Sequence, residues 1–504
     1  MTPKLISIKK LTTILNKKKS KIVLCSGVFD LLHLGHIYHF KEAKSFGDIL
    51  IVSLTTDKFV KKGPGRPIFK FNQRAEAISA LADVDYVIES NEPHTIKNIN
   101  LIKPQVYFKG PDYKLFKDDV TGNIKREVNS VKKYGGKIVF SKSQTFSSSN
   151  LINSYFNFFS KSQNSFINRI KKKYSFRDIR SEIDNFKKLK VLILGETIID
   201  EYLFCEALGK SGKEPVLVYN EKNTELYLGG AAAVANNISD FSENVTLLSY
   251  LGERKTSLDN FIFKKLKKNI KFEFIRKKNS VTIKKKRYVD EINQRKVFGI
   301  YDLQDTPITD NNEISLLKFL KKNIKKYDLV VVLDYGHGLI NNKIAKFISK
   351  NAKYLFLNTQ LNASNFSTQR IDKFTESDCI IINESELRNF IKESGVKLNN
   401  IVKMLMNLTK TKKVIVTAGK KGAYNFNQNL KEINCPAFAS KVVDKIGSGD
   451  SMLSLLSLAL ASGLDDDLSL LIGSLAAAES VESIGNSKNI KKHEILKSLN
   501  YMLK

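Results

Sequence analysis

Short apolar runs separated by amphipathic stretches recur along most of this chain. Between about residues 20 and 153 the runs KIVLCSG, DILIVSLT, DYVIES and GKIVFSK read as strands. Stretches such as NQRAEAISALAD read as the helices between them. Short apolar strands alternating with helices predict a parallel, doubly wound sheet with both faces covered. The pattern changes at about 154, where the chain runs SYFNFFSKSQNSFINRIKKKYSFRDIRSEIDNFKKL. Phe166, Ile167 and Ile170 lie there at helical spacing, which predicts a helical connector over 154–187, or a surface for a homodimer. From 188 to 504 the alternation resumes, with KVLILGETIID, YDLVVVLDYG, AKYLFLNT, DCIIIN and KKVIVTAG as its plainest strands. That length suits one large α/β domain, and no internal repeat links the two halves. The expected organisation is an α/β domain over 20–153, a connector over 154–187 and a second α/β domain over 188–504.

Composition adds limits rather than detail. The hydrophobic fraction of 42% over 504 residues is enough for more than one sizeable core. No stretch approaches the ~18 uncharged apolar residues of a membrane span. The first residues, MTPKLISIKKLTTILNKKKSK, lack the apolar centre of a secretory signal, so a cytoplasmic protein is expected. Cys25, Cys205, Cys379 and Cys435 are far apart and form no CxxC or Cys/His cluster, which predicts buried thiols. The 83 Lys+Arg against 51 Asp+Glu give a formal charge of +32. Lysines are spread over the whole chain with no basic arm or stacked-aromatic platform, so no nucleic-acid partner is expected. Such a field favours anionic small substrates.

Candidate chemistry begins at GVFDLLHLGH. The apolar strand residues Ile22, Val23 and Leu24 run into Gly27, and Leu31, Leu32 and Leu34 open a helix. A strand-to-helix turn of this kind lets backbone approach a phosphate at the helix N-terminus. His33 and His36 lie three apart and project from one face of the first turn; His39 falls outside that pattern. Imidazole donors beside a helix N-terminus suit attack on a nucleotide α-phosphate, whose transition state spreads charge over equatorial oxygens.

The segment resembles the HxGH signature of the cytidylyltransferase-like nucleotidyltransferases. TTDKFVKKGPGRP (55–67), Gln73-Arg74, VYFKGPDY (106–113) and FSSSNLI (146–152) resemble its sugar-phosphate branch. They are most similar to the adenylyltransferase half of the bifunctional heptose-phosphate kinase/adenylyltransferases. The resemblance covers nearly all of 20–153 and implies a Rossmann-like domain. It implies that His33 and His36 stabilise the α-phosphoryl transition state and that Lys61 contacts the triphosphate. Gly27, Phe29 and Asp30 would meet the nucleotide, Lys109, Gly110 and Asp112 would line its pocket or the sugar's, and Ser148 and Ser149 would meet phosphate. Pro111 departs from the family, which usually has a second glycine there.

A second site is expected in VVDKIGSGDSMLSLLSLALASG. Gly447, Ser448 and Gly449 place backbone amides at the start of an apolar helix, which makes an anion hole. The carboxylate of Asp450 beside them is placed to take a proton from a hydroxyl. GETIIDEY, YLGGAAAVANNI (227–238), INESEL (382–387) and VTAGKKGAY (416–424) lie upstream. In order and spacing these resemble the ribokinase-like (PfkB) carbohydrate kinases across 188–504. The resemblance implies that Asp450 is the general base, that Gly447 to Gly449 hold the γ-phosphoryl, and that Asp200, Gly229, Gly230 and Asn236 bind the sugar. Asn383 and Glu386 would organise Mg²⁺ and the nucleotide phosphates, with Glu386 toward the metal. Lys445 and Ser448 depart from the usual DTxGAGD, and LFLNTQLN (355–362) stands where the heptose enzymes tend to carry an Asp-Pro-Lys run.

Together the resemblances imply a two-domain enzyme making an activated sugar nucleotide, ADP-heptose or a relative, for surface polysaccharide. Its substrates would be a sugar phosphate and ATP, or CTP for the transferase, and a separate phosphatase would act between the steps if the intermediate is a bisphosphate. The order here is reversed, since the kinase comes first in the familiar enzymes. The alternative is a cytidylyltransferase for a polyol or glycerol-type phosphate, with a kinase-like half that senses or acts on another sugar.

Overall fold

The computed structural model describes residues 4–16, 19–60, 66–111, 123–142, 159–361, 365 and 369–503. The chain divides into two units, one made of Met1–Ser160 with Leu496–Lys504 and the other of Lys161–Ile495.

Among the described residues, the first unit holds five strands: β1 (Ile22–Gly27), β2 (Ile49–Thr55), β3 (Tyr86–Ser90), β4 (Val106–Lys109) and β5 (Lys137–Phe140). Their order is β3-β2-β1-β4-β5 and every pairing is parallel. The strands read as unbroken apolar runs because each face is covered. Ile22, Leu24, Ile49 and Ile51 bury one face with Ile88, Ile99 and Tyr107. Val23, Cys25, Leu50 and Val52 bury the other with Phe40, Ile78 and Phe108. The order reverses at β1, which lies between β2 and β4, so the crevice of the sheet opens at the carboxyl end of β1. GVFDLLHLGH leaves the sheet at that point.

In the second unit, described residues form two sheets. The strands are β6 (Lys190–Gly195), β7 (Thr197–Lys210), β8 (Leu217–Gly229), β9 (Asn244–Gly252), β10 (Ile270–Lys277), β11 (Lys284–Asp290) and β12 (Lys296–Asp302). They continue as β13 (Leu329–Asp334), β14 (Leu355–Thr359), β15 (Ser377–Asn383), β16 (Thr411–Thr417), β17 (Ala423–Asn427) and β18 (Glu432–Cys435). The larger sheet runs β10-β9-β6-β13-β14-β15-β16-β17-β18, parallel up to β16 and antiparallel at its last two pairings. The smaller sheet runs β12-β11-β7-β8. The helices Ser448–Ala461 and Asp466–Val481 are apolar nearly all round and pack together in the interior.

The region read as a connector holds the helices Lys161–Lys173 and Phe176–Asn185 within this second unit. Phe166, Ile167 and Ile170 are buried, and Ser175 with Asp178 forms a reciprocal cap at the second helix. All four cysteines are buried and free. Among the described residues no helix is long and apolar enough to cross a membrane.

Candidate active sites

At the carboxyl end of β1 the chain turns through Phe29, which takes a left-handed φ of 47°, and enters the helix Leu34–Lys44. His33 caps that helix, its Nδ1 accepting the Gly35 N–H at 3.1 Å. One turn on, the His36 ring stacks on His33 with centroids 3.9 Å apart, and Phe29 meets His36 edge-on at 5.1 Å. Burial lowers the His33 pKa, so its ring is held neutral more readily than a free histidine. The structure thus brings His33, His36 and Phe29 together at a helix N-terminus in the sheet's crevice. His39 is turned into the core against Phe108 and Phe40, where burial pulls its pKa down to about 4.

Other residues of the motif do structural work. The buried Asp30 accepts the N–H groups of Ile68 and Phe69 and pairs with Arg66 at 2.6 Å, which closes the following loop onto the turn. Lys109 ends β4 in a buried network, donating to Ser26 Oγ at 2.9 Å and lying 3.6 Å from Glu127, beneath which Tyr107 also donates. A side chain on Gly110 would meet open space, and Gly27 lies where a Cβ would press on the Phe29 ring. Lys61, Asp112, Ser148 and Ser149 lie outside the described residues. Arg74, read only as part of the resemblance, is fully buried and is the hub of this site's loops. Its guanidinium donates to the carbonyls of Val28, Thr55 and Phe69 and to Asp57. An arginine in the middle of an otherwise amphipathic helix was the available signal.

In the second unit β7 carries the buried Asp200, and β11 runs parallel beside it so that Lys285 stands opposite Asp200. Alternation along β11 puts Lys285 and Arg287 on one face, and Arg287 pairs with Asp200 at 2.5 Å. At the end of β8, a Cβ on Gly229 would sit 2.4 Å from Asp200 Oδ2, so only glycine leaves that carboxylate in place. Gly230 opens the next helix at a φ of 57°. The helix Ser448–Ala461 starts after Gly447, whose φ is 83° and whose Cβ would collide with Asn486. Asp450 stands in its first turn and accepts the Tyr335 hydroxyl at 3.0 Å. Burial pushes the Asp450 carboxyl up to about 7; the Asp200 charge adds to this, while Tyr335 and Lys285 oppose it. Burial likewise lowers the Lys285 pKa, against the pull of Asp200 and Asp450. Asp200 is thus held against Gly229 and Arg287, and its charge and that of Lys285 both reach Asp450.

Ser448 turns its hydroxyl to the Lys445 carbonyl at 2.8 Å, and Lys445 itself is exposed. Asn383 and Glu386 form a capping box on the helix Glu384–Ile391, with Glu386 accepting the Asn383 N–H at 3.1 Å. Burial pushes the Glu386 carboxyl up to about 7. Asn236 is placed differently from the sequence expectation. Its amide donates to the Lys265 carbonyl and its oxygen accepts the Lys267 N–H, so both ends tie the helix Gly230–Ile238 to the end of the next one. Among the described residues no three His, Cys, Asp or Glu converge as a metal cage. The half-buried Glu386 carboxylate fits a magnesium ion held mainly by nucleotide phosphates.

Sequence reading passed over Glu196, Lys285, Arg287, Tyr335 and Asp444. Asp444 accepts from Tyr202 at 2.9 Å and pairs with Lys296 at 2.6 Å, anchoring the loop before Gly447. For Tyr335 the signal was DYGHG, whose two glycines, Gly336 and Gly338, both take positive φ.

Two family models match the chain. The Cytidylyltransferase-like model matches residues 24–154, and the pfkB family carbohydrate kinase model matches residues 188–493. The "Bifunctional protein HldE" of Campylobacter jejuni subsp. jejuni serotype O:6 is 30% identical over 305 residues, 60% of this chain and 62% of that protein. The protein of the same name from Aliarcobacter butzleri is 43% identical over 132 residues, 26% of this chain and 28% of that protein. The chain thus spans less than two thirds of the length of these relatives in either match. Among solved structures, phosphofructokinase-2 from Escherichia coli in complex with potassium aligns with a TM-score of 0.52 at 14% identity, over 63% of this chain and 100% of that one. That is a likeness of fold. The pfkB match covers more than half of the sequence, and the chain belongs to the pfkB family of carbohydrate kinases, with a cytidylyltransferase-like region ahead of the kinase region.

Proposed function

We propose that the chain is a bifunctional enzyme that phosphorylates a sugar phosphate and joins a sugar 1-phosphate to a nucleotide, with ADP-heptose for surface polysaccharide as its product. The observation that carries this reading is Asp450 in the first turn of the helix that starts after Gly447, within the electrostatic reach of Asp200, in a chain that also holds the stacked His33–His36 pair. HldE proteins match it over 305 and over 132 residues, about the lengths of the two family regions.

In the kinase half Asp200 holds the sugar and Asp450 accepts the proton of the attacking hydroxyl. The hydroxyl oxygen bonds to the γ-phosphorus, the bond to the β–γ bridging oxygen breaks, and ADP leaves. The first-turn amides of the helix Ser448–Ala461 receive the transferred group's charge. Asn383 and Glu386 would hold magnesium carried with the nucleotide, which would neutralise phosphate charge. In the transferase half a sugar 1-phosphate oxygen attacks the α-phosphorus and pyrophosphate leaves, with His33 and His36 donating to the equatorial oxygens. If the kinase product is a bisphosphate, a phosphatase acts between the two steps. Lys61, Asp112, Ser148 and Ser149 would complete the triphosphate and sugar contacts.

The test is to give the full chain a heptose phosphate with ATP and measure ADP, then heptose 1-phosphate with ATP or CTP and measure pyrophosphate. ADP from the first and pyrophosphate from the second, with ATP preferred, are expected. No pyrophosphate with any sugar 1-phosphate and nucleotide would sink the transferase half, and no acceptor-dependent ADP the kinase half.

A further inference from the structure

We infer that Tyr335 is a positioning residue for the kinase reaction, holding the Asp450 carboxylate by Oδ1 in the charged form that accepts the proton of the substrate hydroxyl; this rests on the kinase reading above. Tyr335 directly follows β13 and its side chain is buried. Its hydroxyl donates to Asp450 Oδ1 at 3.0 Å, which occupies one carboxylate oxygen and leaves the other for the incoming proton.

The residue is itself held from two sides. Its N–H donates to Glu196 Oε2 at 3.0 Å, and its carbonyl accepts the Asn365 amide at 2.6 Å. Gly336 follows at a φ of 74°, where any Cβ would run into Asn365. The Lys285 ammonium lies 5.9 Å from the ring centroid, so the ring also helps wall the cation between Asp200 and Asp450. The groups that act on Asp450 come from four places: Tyr335 after β13, Asp200 on β7, Lys285 on β11 and Glu386 on the helix Glu384–Ile391. Of these Tyr335 hydrogen-bonds the carboxylate directly. Burial raises the phenol well above its ordinary range, so it remains a donor throughout the working range.

A donor on a carboxylate favours its charged form. Its loss should therefore raise the base's pKa, which a merely structural role would not do. The experiment compares the wild-type full chain, Tyr335→Phe and Asp450→Asn in ADP formation from ATP with a heptose phosphate across pH. For Tyr335→Phe the acid limb of kcat should move up by about one pH unit, costing about tenfold at pH 6.5 and little at pH 9, with KM within about twofold. An unmoved limb, or an equal loss at every pH, overturns the inference. If Tyr335→Phe does not fold, 3-fluorotyrosine at position 335 is a stronger donor of the same shape and should move the limb down; an unmoved limb again overturns it. Asp450→Asn that keeps the wild-type rate would instead overturn the kinase reading, leaving the two failures distinct.

Discussion

The two candidate sites are built in opposite ways. In the first unit the chemistry is compressed into one turn of backbone, where His33 caps a helix and His36 stacks on it. In the second unit Asp200, Lys285, Tyr335 and Asp450 come from four separate elements and meet by folding. A site made from one turn needs scaffolding around it but no long-range register. A site made from four elements depends on register, since a one-residue slip of β11 would turn Lys285 and Arg287 to the other face. The comparison predicts that the first site tolerates changes elsewhere in its sheet better than the second does.

The largest expected effect breaks the symmetry between them. Asp450→Asn should lower acceptor-dependent ADP formation by at least ~10³-fold, within the range lost with a general base, and leave pyrophosphate release intact. The same variant should be more stable than the wild type at pH 8. Because burial raises the carboxyl's pKa, the folded chain holds that proton more tightly than the unfolded chain. Its contribution to stability is full below the ordinary carboxylate range and lost as pH rises through about 7. A melting temperature at least ~2 °C higher at pH 8, with the gap narrowing at pH 5, is the expected result. The reciprocal change, His36→Ala, should lower pyrophosphate release by at least ~10²-fold and spare the kinase. If either variant abolished both activities, the two sites would not be independent.

These expectations also mark how much was legible beforehand. The parallel sheet of the first unit follows from apolar runs that have both faces to bury, and the His33–His36 turn follows from spacing within one helical turn. Both are local, and local patterns survive in a sequence. The cluster around Asp450 is not local: nothing in the string KKKRYVD says that Lys285 will stand across from Asp200, because that register is set by pairing between distant strands. Motif spacing also leaves out how the fold fastens the residues it names. Asp30, Lys109 and Glu386 each carry a charge beside a candidate site, and each also hydrogen-bonds within the fold, to the loop of residues 66–69, to Ser26 and to a helix cap.

Arg74 tests the scaffolding side of the comparison. Arg74→Met keeps the bulk of the side chain but leaves the carbonyls of Val28, Thr55 and Phe69 without that donor. At roughly 1–3 kcal/mol for each buried group left unpaired, the first unit should lose at least about 3 kcal/mol, read by urea unfolding. Pyrophosphate release should fall in the surviving folded fraction because the turn at Phe29 loses its anchor, while ADP formation holds. Equal stability of wild type and variant would remove the hub role.

Asn236 provides the smallest effect and the sharpest contrast with motif reading. A sugar ligand and a helix fastener both explain an asparagine nine residues after Tyr227, and they differ in what its loss does. As a ligand, its replacement by alanine would raise the sugar's KM by the worth of a hydrogen bond, about tenfold for 1.4 kcal/mol. As placed here, both ends of the amide are occupied by Lys265 and Lys267 backbone, at 3.1 Å each. Asn236→Ala should then cost about 1–2 kcal/mol of stability in the second unit with the KM unchanged. Gly229→Ala supplies the opposite pole, since its Cβ would displace Asp200 and raise KM. A KM shift for Asn236→Ala as large as that for Gly229→Ala would return Asn236 to the sugar, and the second site would then reach one element further into its unit.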